Sequence, residues 1–280
     1  NKFTTLIIPY ICTSCIIVIL ATIKGLISGG LYGAGNAFFE WMYASLYGAG
    51  DSYTSPFYIK GIGAIWFLWA TFWGAIFLRV SLKLSEKVRI AVIIALFGIG
   101  YFTSIVIWLP FSIQAGCCAT VFMYIGYLFK HEEYNFKSIF HEVRMVITIF
   151  ALIVWGSFIK DFQSFWLVHC DVGRGIIDIF GCICASYIVL LVSQYIEKHF
   201  SPFSKWLSFL GQYSIFMLCI HIIELDLFPW ERLTQKLVFI GMPANLEIYI
   251  LIVCKLSIII LGTVICARWN VTRKLFGVKE

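Results

Sequence analysis

Eight apolar runs, each roughly 20 residues long and nearly free of charge, follow one another along this chain, at about 6–27, 62–82, 88–109, 113–129, 143–159, 176–196, 206–225 and 248–267. A helix rising 1.5 Å per residue needs about 20 apolar residues to cross the ~30 Å hydrocarbon core of a bilayer. Inside that core no water satisfies the peptide groups, so the segments must be helices that bond within themselves. Composition agrees. The chain is 61% hydrophobic and only 13% charged, with a mean hydropathy of +0.90, against about 25% charged residues in soluble domains. The expected fold is an all-α integral membrane protein, a bundle of about eight transmembrane helices forming a single domain over residues 1–280.

Topology follows from where the cations fall. With both termini cytoplasmic, fourteen of the 21 Lys and Arg residues lie in inner segments and six in outer ones, while Lys255 falls inside the last run. The net charge of +6 therefore reads as topology, with the bilayer as partner and no nucleic acid. Residues 29–60 are rich in Gly, Tyr and Ser, and their amphipathic piece at 37–47 is too short and polar to span; it is expected to lie on the membrane surface or to fold back. The outer loops are the longer and more aromatic ones, and loops of that kind carry recognition. Trp41 and Trp166 are candidate sugar platforms there, with an interfacial aromatic belt as the competing reading. Gly98, Gly100, Gly116, Gly126 and Gly181, inside the runs, read as sites of close helix packing.

Nine of the ten cysteines fall in apolar runs and read as small buried thiols; Cys170, between His169 and Asp171, is the one expected to be exposed. No metal-ligand spacing, phosphate-binding glycine loop or nucleophile elbow is present, and no metal is expected.

One stretch breaks the apolar pattern. From Lys205 no charge occurs until His221, after which Glu224 and Asp226 follow before Pro229 and Trp230. Ionisable groups at membrane depth cost a few kcal/mol each on insertion scales, and so mark candidate sites. Three residues apart, His221 and Glu224 share a helix face. Pro229 and Trp230 read as the helix stop and its interfacial anchor.

Several motifs, taken in order, resemble the acyltransferase 3 family of membrane O-acyltransferases, in particular its fucose 4-O-acetylase-like branch. Lys2 to Tyr10, with Leu6-Ile7-Ile8-Pro9-Tyr10, resembles the start of the family's third helix. Leu46-Tyr47-Gly48, followed by Ile65-Trp66-Phe67-Leu68 and Phe72-Trp73, resembles its outer loop and the next span. Phe122-Met123-Tyr124-Ile125-Gly126-Tyr127-Leu128 resembles a Phe-Phe-x-x-Gly-Tyr-Leu pattern, and Leu210-Gly211-Gln212-Tyr213-Ser214 with His221 resembles a Gly-Lys-x-Ser segment and histidine of the penultimate helix.

The resemblance implies transfer of an acyl group, commonly acetyl from acetyl-CoA, to a hydroxyl of a carbohydrate or another cell-envelope acceptor in a bacterial cytoplasmic membrane. It also implies ten core helices, two of them upstream of Asn1, and a main catalytic histidine, in an Arg-x10-His arrangement, on the first. Lys2 stands where the family carries the first cation of an Arg-x-x-Arg pair, and is the residue implied for the phosphates of acyl-CoA. Thr5 stands at the second cation. His221 and Glu224 are then expected to orient the acceptor hydroxyl or handle its proton, with Trp66 and Asp226 lining the acceptor site. A second reading stays open, a small-solute or lipid-linked-sugar transporter domain, because Gln114, Glu224 and Lys255 as polar groups within apolar runs suit either. An acyl donor at the cytoplasmic face would separate the two.

Overall fold

A computed structural model describes residues 3–131, 141–160 and 165–275; Lys2 lies outside the described residues. After a π-helical turn at Phe3–Ile7 come helices α1 (Ile8–Tyr47), α2 (Trp66–Ser81), α3 (Glu86–Val106), α4 (Ile113–His131), α5 (His141–Lys160) and α6 (Ile176–His199). They are followed by α7 (Ser201–Gln212), α8 (Ser214–Leu227), α9 (Trp230–Phe239), α10 (Ala244–Arg268) and α11 (Asn270–Leu275). The fold is an all-α membrane bundle, and the described residues contain no strand, only two isolated bridges. Helices stand at all eight expected places. Six are long and apolar enough to cross a membrane; α7 and α8 meet that measure only together, bent by 64°. At 16 residues, α2 reaches about 24 Å, short of a full ~30 Å crossing.

The chain clusters into two compact units. One comprises Asn1–Phe72, Trp108–Ser112 and Phe209–Glu280, the other Trp73–Ile107 and Ile113–Ser208.

In the first unit, α1 is a helical hairpin. Gly29 (φ −141°, ψ 19°) and Gly30 (φ 60°, ψ −152°) break the helix, and Gly30 takes a backbone geometry open to a residue without a Cβ. Residues 31–47 then return along residues 8–28. Of the two expectations for 37–47, folding back is the one realised. The arms meet backbone to backbone, since a Cβ on Gly25 would stand 2.5 Å from the Gly33 carbonyl oxygen, and one on Gly33 would meet the Gly25 oxygen at the same 2.5 Å. Further along, the Tyr10 hydroxyl donates to the Ser45 carbonyl at 2.7 Å. Gly48 ends the return arm in the left-handed conformation (φ 69°), a common helix stop. Tyr10 and Ile17 of the outgoing arm and Ala44 of the return arm join Ile62, Ile65, Leu68 and Ile222 in one buried cluster.

The loop at 48–65 is ordered by partners from 108–112. Tyr53 and Ile59 form an antiparallel bridge, Tyr53 stacks on Trp108 with centroids 4.2 Å apart, and the Trp108 amide donates to Ser55 O. Tyr47 donates its hydroxyl to Trp108 O at 2.6 Å, and Ser112 donates to Gly48 O at 2.8 Å. These bonds take up backbone groups at Gly48, Tyr53, Ser55, Ile59 and Trp108 in an otherwise non-helical stretch.

In the second unit, α3 and α4 pack at Gly100, where a Cβ would lie 2.6 Å from Gln114 O and 2.9 Å from Cys118 Sγ. Buried Gln114 donates to the Ile107 carbonyl at the end of α3. Gly181 of α6 likewise leaves room for the Phe158 ring, 2.6 Å from where a Cβ would be. Gly126 departs from the packing expectation, because nothing lies within 4 Å of its would-be Cβ.

Cys170 corrects the sequence reading: it is 1% exposed. A hydrogen bond with the Cys118 thiol, and then burial, push its own thiol far above the usual range. An alkylating maleimide should therefore leave Cys170 unmodified at neutral pH in native protein and label it after denaturation, as peptide mass mapping would show. At the hairpin, Gly33→Leu forces a side chain against backbone and should destabilise the fold by about 1–3 kcal/mol, read as an earlier thermal midpoint in detergent, whereas Gly35→Leu, with open space at its Cβ, should leave the midpoint near that of the parent.

Candidate active site at the end of α8

The arrangement begins with α8, whose fourteen residues run from Ser214 to Leu227. Phe228 leaves the helix in an extended conformation, its amide donating to Glu224 O, and Pro229 precedes α9. Proline lacks an amide hydrogen and clashes with the turn before it, so the helix stops there. Ile222 faces the buried cluster of the hairpin, which fixes the rotation of α8 and hence where its charged neighbours sit.

Glu224 is buried, with its side chain 2% exposed, while His221, one turn earlier, is 39% exposed. His221 Nδ1 lies 3.1 Å from Glu224 Oε2, a distance at which Nδ1–H donates to the carboxylate and leaves Nε2 as the acceptor. Glu224 Oε1 is buried without a hydrogen-bond partner among the described residues, as is Asp226 Oδ2. A buried carboxylate oxygen without a donor is costly, and any group able to donate a hydrogen bond there offsets that cost.

Cations gather beside these acids. Lys60 and Lys24 stand close enough to act on the charge of Asp226. Lys60 also bonds Glu40 Oε1 at 2.7 Å and holds its ammonium 4.0 Å from the centroid of Trp41, an attractive cation–π placement. Trp41 packs in turn against the cluster that contains Ile222. Gly63 brings the loop directly over α8, since a Cβ there would be 3.3 Å from Ile222 Cγ2. Beyond the helix, Lys255 of α10 places Nζ 5.1 Å over the ring of Trp230.

Of the residues expected from sequence, His221, Glu224 and Asp226 therefore occupy one end of one helix, with the first two in contact. Trp66 is the first residue of α2, partly buried and edge-on to Phe67; its neighbours Ile65 and Leu68 are the ones in the cluster with Ile222. Sequence reasoning did not join Lys24, Glu40 and Lys60 to this group. Lys24 carried a signal, as a lone cation near the end of an apolar run, and so did Lys255. Lys60 had none, because the 48–65 loop alone carries it to α8.

The contact between His221 and Glu224 should appear as a non-additive pair. In a double-mutant cycle of His221→Ala and Glu224→Gln, thermal unfolding should yield a coupling of about 0.5–3 kcal/mol, and purely additive effects would show that the two side chains do not act together.

The family model described as an acyltransferase domain matches residues 1–268, and the chain belongs to this acyltransferase 3 family. No curated protein and no solved structure matches it.

Proposed function

Starting from that membership, which supports membrane acyltransferase activity in general, we propose that this protein is an O-acyltransferase of the fucose 4-O-acetylase-like kind. It moves an acyl group, acetyl in the simplest case, from acyl-CoA to a hydroxyl of a cell-envelope carbohydrate or related acceptor. The observation that carries the reading is the His221–Glu224 pair, a buried carboxylate in contact with an imidazole whose side chain is partly exposed.

Acyl transfer to a hydroxyl requires removal of its proton as the oxygen attacks the thioester carbonyl. Imidazole titrates near neutral pH and accepts such a proton at Nε2 while Nδ1–H stays bonded to a carboxylate, which also stabilises the imidazolium that forms. His221 thus orients the acceptor hydroxyl and handles its proton, and Glu224 positions the ring. Asp226, with an unpartnered buried oxygen, is suited to accept a hydrogen bond from a second hydroxyl, as vicinal hydroxyls of a sugar would offer. Trp41, held by Lys60, supplies an apolar face next to the same end of α8, and Trp66 remains a residue for the acceptor side. Acyl-CoA approaches the face that carries the basic inner loops, with Lys2 assigned to its phosphates.

The natural full-length protein in native membranes, supplied with radiolabelled acetyl-CoA, tests this reading. His221→Ala should lower label transfer to the envelope fraction by about 10²-fold or more, the scale of a lost proton-handling or orienting group beside the main catalytic histidine implied for the family's first helix, at unchanged expression. Glu224→Gln should lower it less. Undiminished transfer by His221→Ala would remove the assignment, and absence of any acyl transfer by the parent would favour solute transport, which needs no acyl donor.

A further inference from the structure

The second compact unit contains a cavity of about 500 Å³ between α4, α5 and α6. Its volume is within the range of small-molecule sites, which run from about 300 to 1,000 Å³. Phe122, Gly126, Phe129 and Leu190 are among the residues that line it. At one end stand two cations, Lys130 in the last turn of α4 and Arg144 in the first turn of α5.

The dimensions and polarity suit one chemistry. Along α4 the lining runs from Phe122 to Lys130, and along α6 from Cys182 to Gln194, which at 1.5 Å per residue is about 12 Å and about 18 Å. One leaflet of hydrocarbon is about 15 Å deep, half of the ~30 Å core. The basic end coincides with the ends of helices, where a bilayer presents its headgroups. An apolar channel one leaflet deep, closed by an arginine and a lysine at the headgroup level, matches a phosphate diester bearing an acyl chain. Arginine binds phosphate through paired N–H donors, and basic pockets between membrane helices hold anionic headgroups.

We propose that this groove is a binding site for an anionic phospholipid, with one acyl chain between α4 and α6 and its phosphate between Lys130 and Arg144. Gly126 makes the chain's passage possible. Because no atom lies within 4 Å of its would-be Cβ, a bulky side chain there fills the groove without displacing the helix packing. The proposal is independent of the acyl-transfer reading, since the site lies within the other compact unit and involves neither His221 nor Glu224.

Native mass spectrometry of the full chain in a neutral detergent, with phosphatidylglycerol or phosphatidylcholine of identical acyl chains added at equal amounts, provides the test. Retention of one phosphatidylglycerol is expected, with at least a tenfold preference over phosphatidylcholine. Gly126→Phe should lose the bound lipid while keeping the parent's thermal midpoint in lipid-free detergent. The Lys130→Gln, Arg144→Gln double variant should bind both lipids to the same weak extent, and this readout decides the matter if Gly126→Phe does not fold. Equal retention of the two lipids by the parent would overturn the proposal, as would undiminished phosphatidylglycerol retention by folded Gly126→Phe. Inorganic phosphate competing as well as phosphatidylglycerol would reduce the site to a surface anion contact and overturn it likewise.

Discussion

In hydrocarbon a peptide group has no partner except another peptide group or a protein side chain, and each one left open costs several kcal/mol. The architecture answers that cost at three interruptions of helix among the described residues. At the tip of α1 the reversal is confined to Gly29 and Gly30, and the arms on either side resume helical bonding at once. Where the chain is non-helical for longer, between Gly48 and Ile65, Ser112 and Trp108 donate to the carbonyls of Gly48 and Ser55, and Tyr53 and Ile59 exchange backbone bonds. At the end of α3 buried Gln114 donates to a carbonyl that the helix cannot satisfy.

The same cost applies with more force to charge. Glu224 is buried in a helix that otherwise reads as lipid-soluble, and the protein accommodates it with an imidazole in contact and with Lys24 and Lys60 near the neighbouring Asp226. That compensation is incomplete, since Glu224 Oε1 and Asp226 Oδ2 remain without donors among the described residues. Unpartnered buried polar atoms are uncommon in folded proteins, and a catalytic role is one of the recognised reasons for them. Under the proposed O-acyl transfer, the acceptor hydroxyl is a ligand of the right kind, as a hydroxyl donates to a carboxylate and gives its proton to an imidazole.

Glycine serves two ends in this chain. Gly25, Gly33, Gly100 and Gly181 each admit a close neighbour, backbone or ring, where a Cβ would collide. In the absence of a hydrophobic drive between helices in lipid, such contact distances are what van der Waals association depends on. Gly126 differs from these, since it lines the basic-ended groove and no atom lies within 4 Å of the Cβ it lacks.

The run lengths and their lack of charge determined by themselves that the chain is a helical membrane protein, because only a helix satisfies its backbone within about 20 apolar residues. Local spacing also determined that His221 and Glu224 meet, since three residues along a helix is a distance fixed by covalent geometry. Tertiary structure decided whatever depends on residues far apart in the chain. It made 37–47 the second arm of a hairpin through the torsions of two glycines, and it buried Cys170 against Cys118, which no pattern around Cys170 reports. It also brought Lys60 and Trp41 to the end of α8, because the path of the 48–65 loop is set by hydrogen bonds to residues sixty positions away rather than by the loop's own sequence.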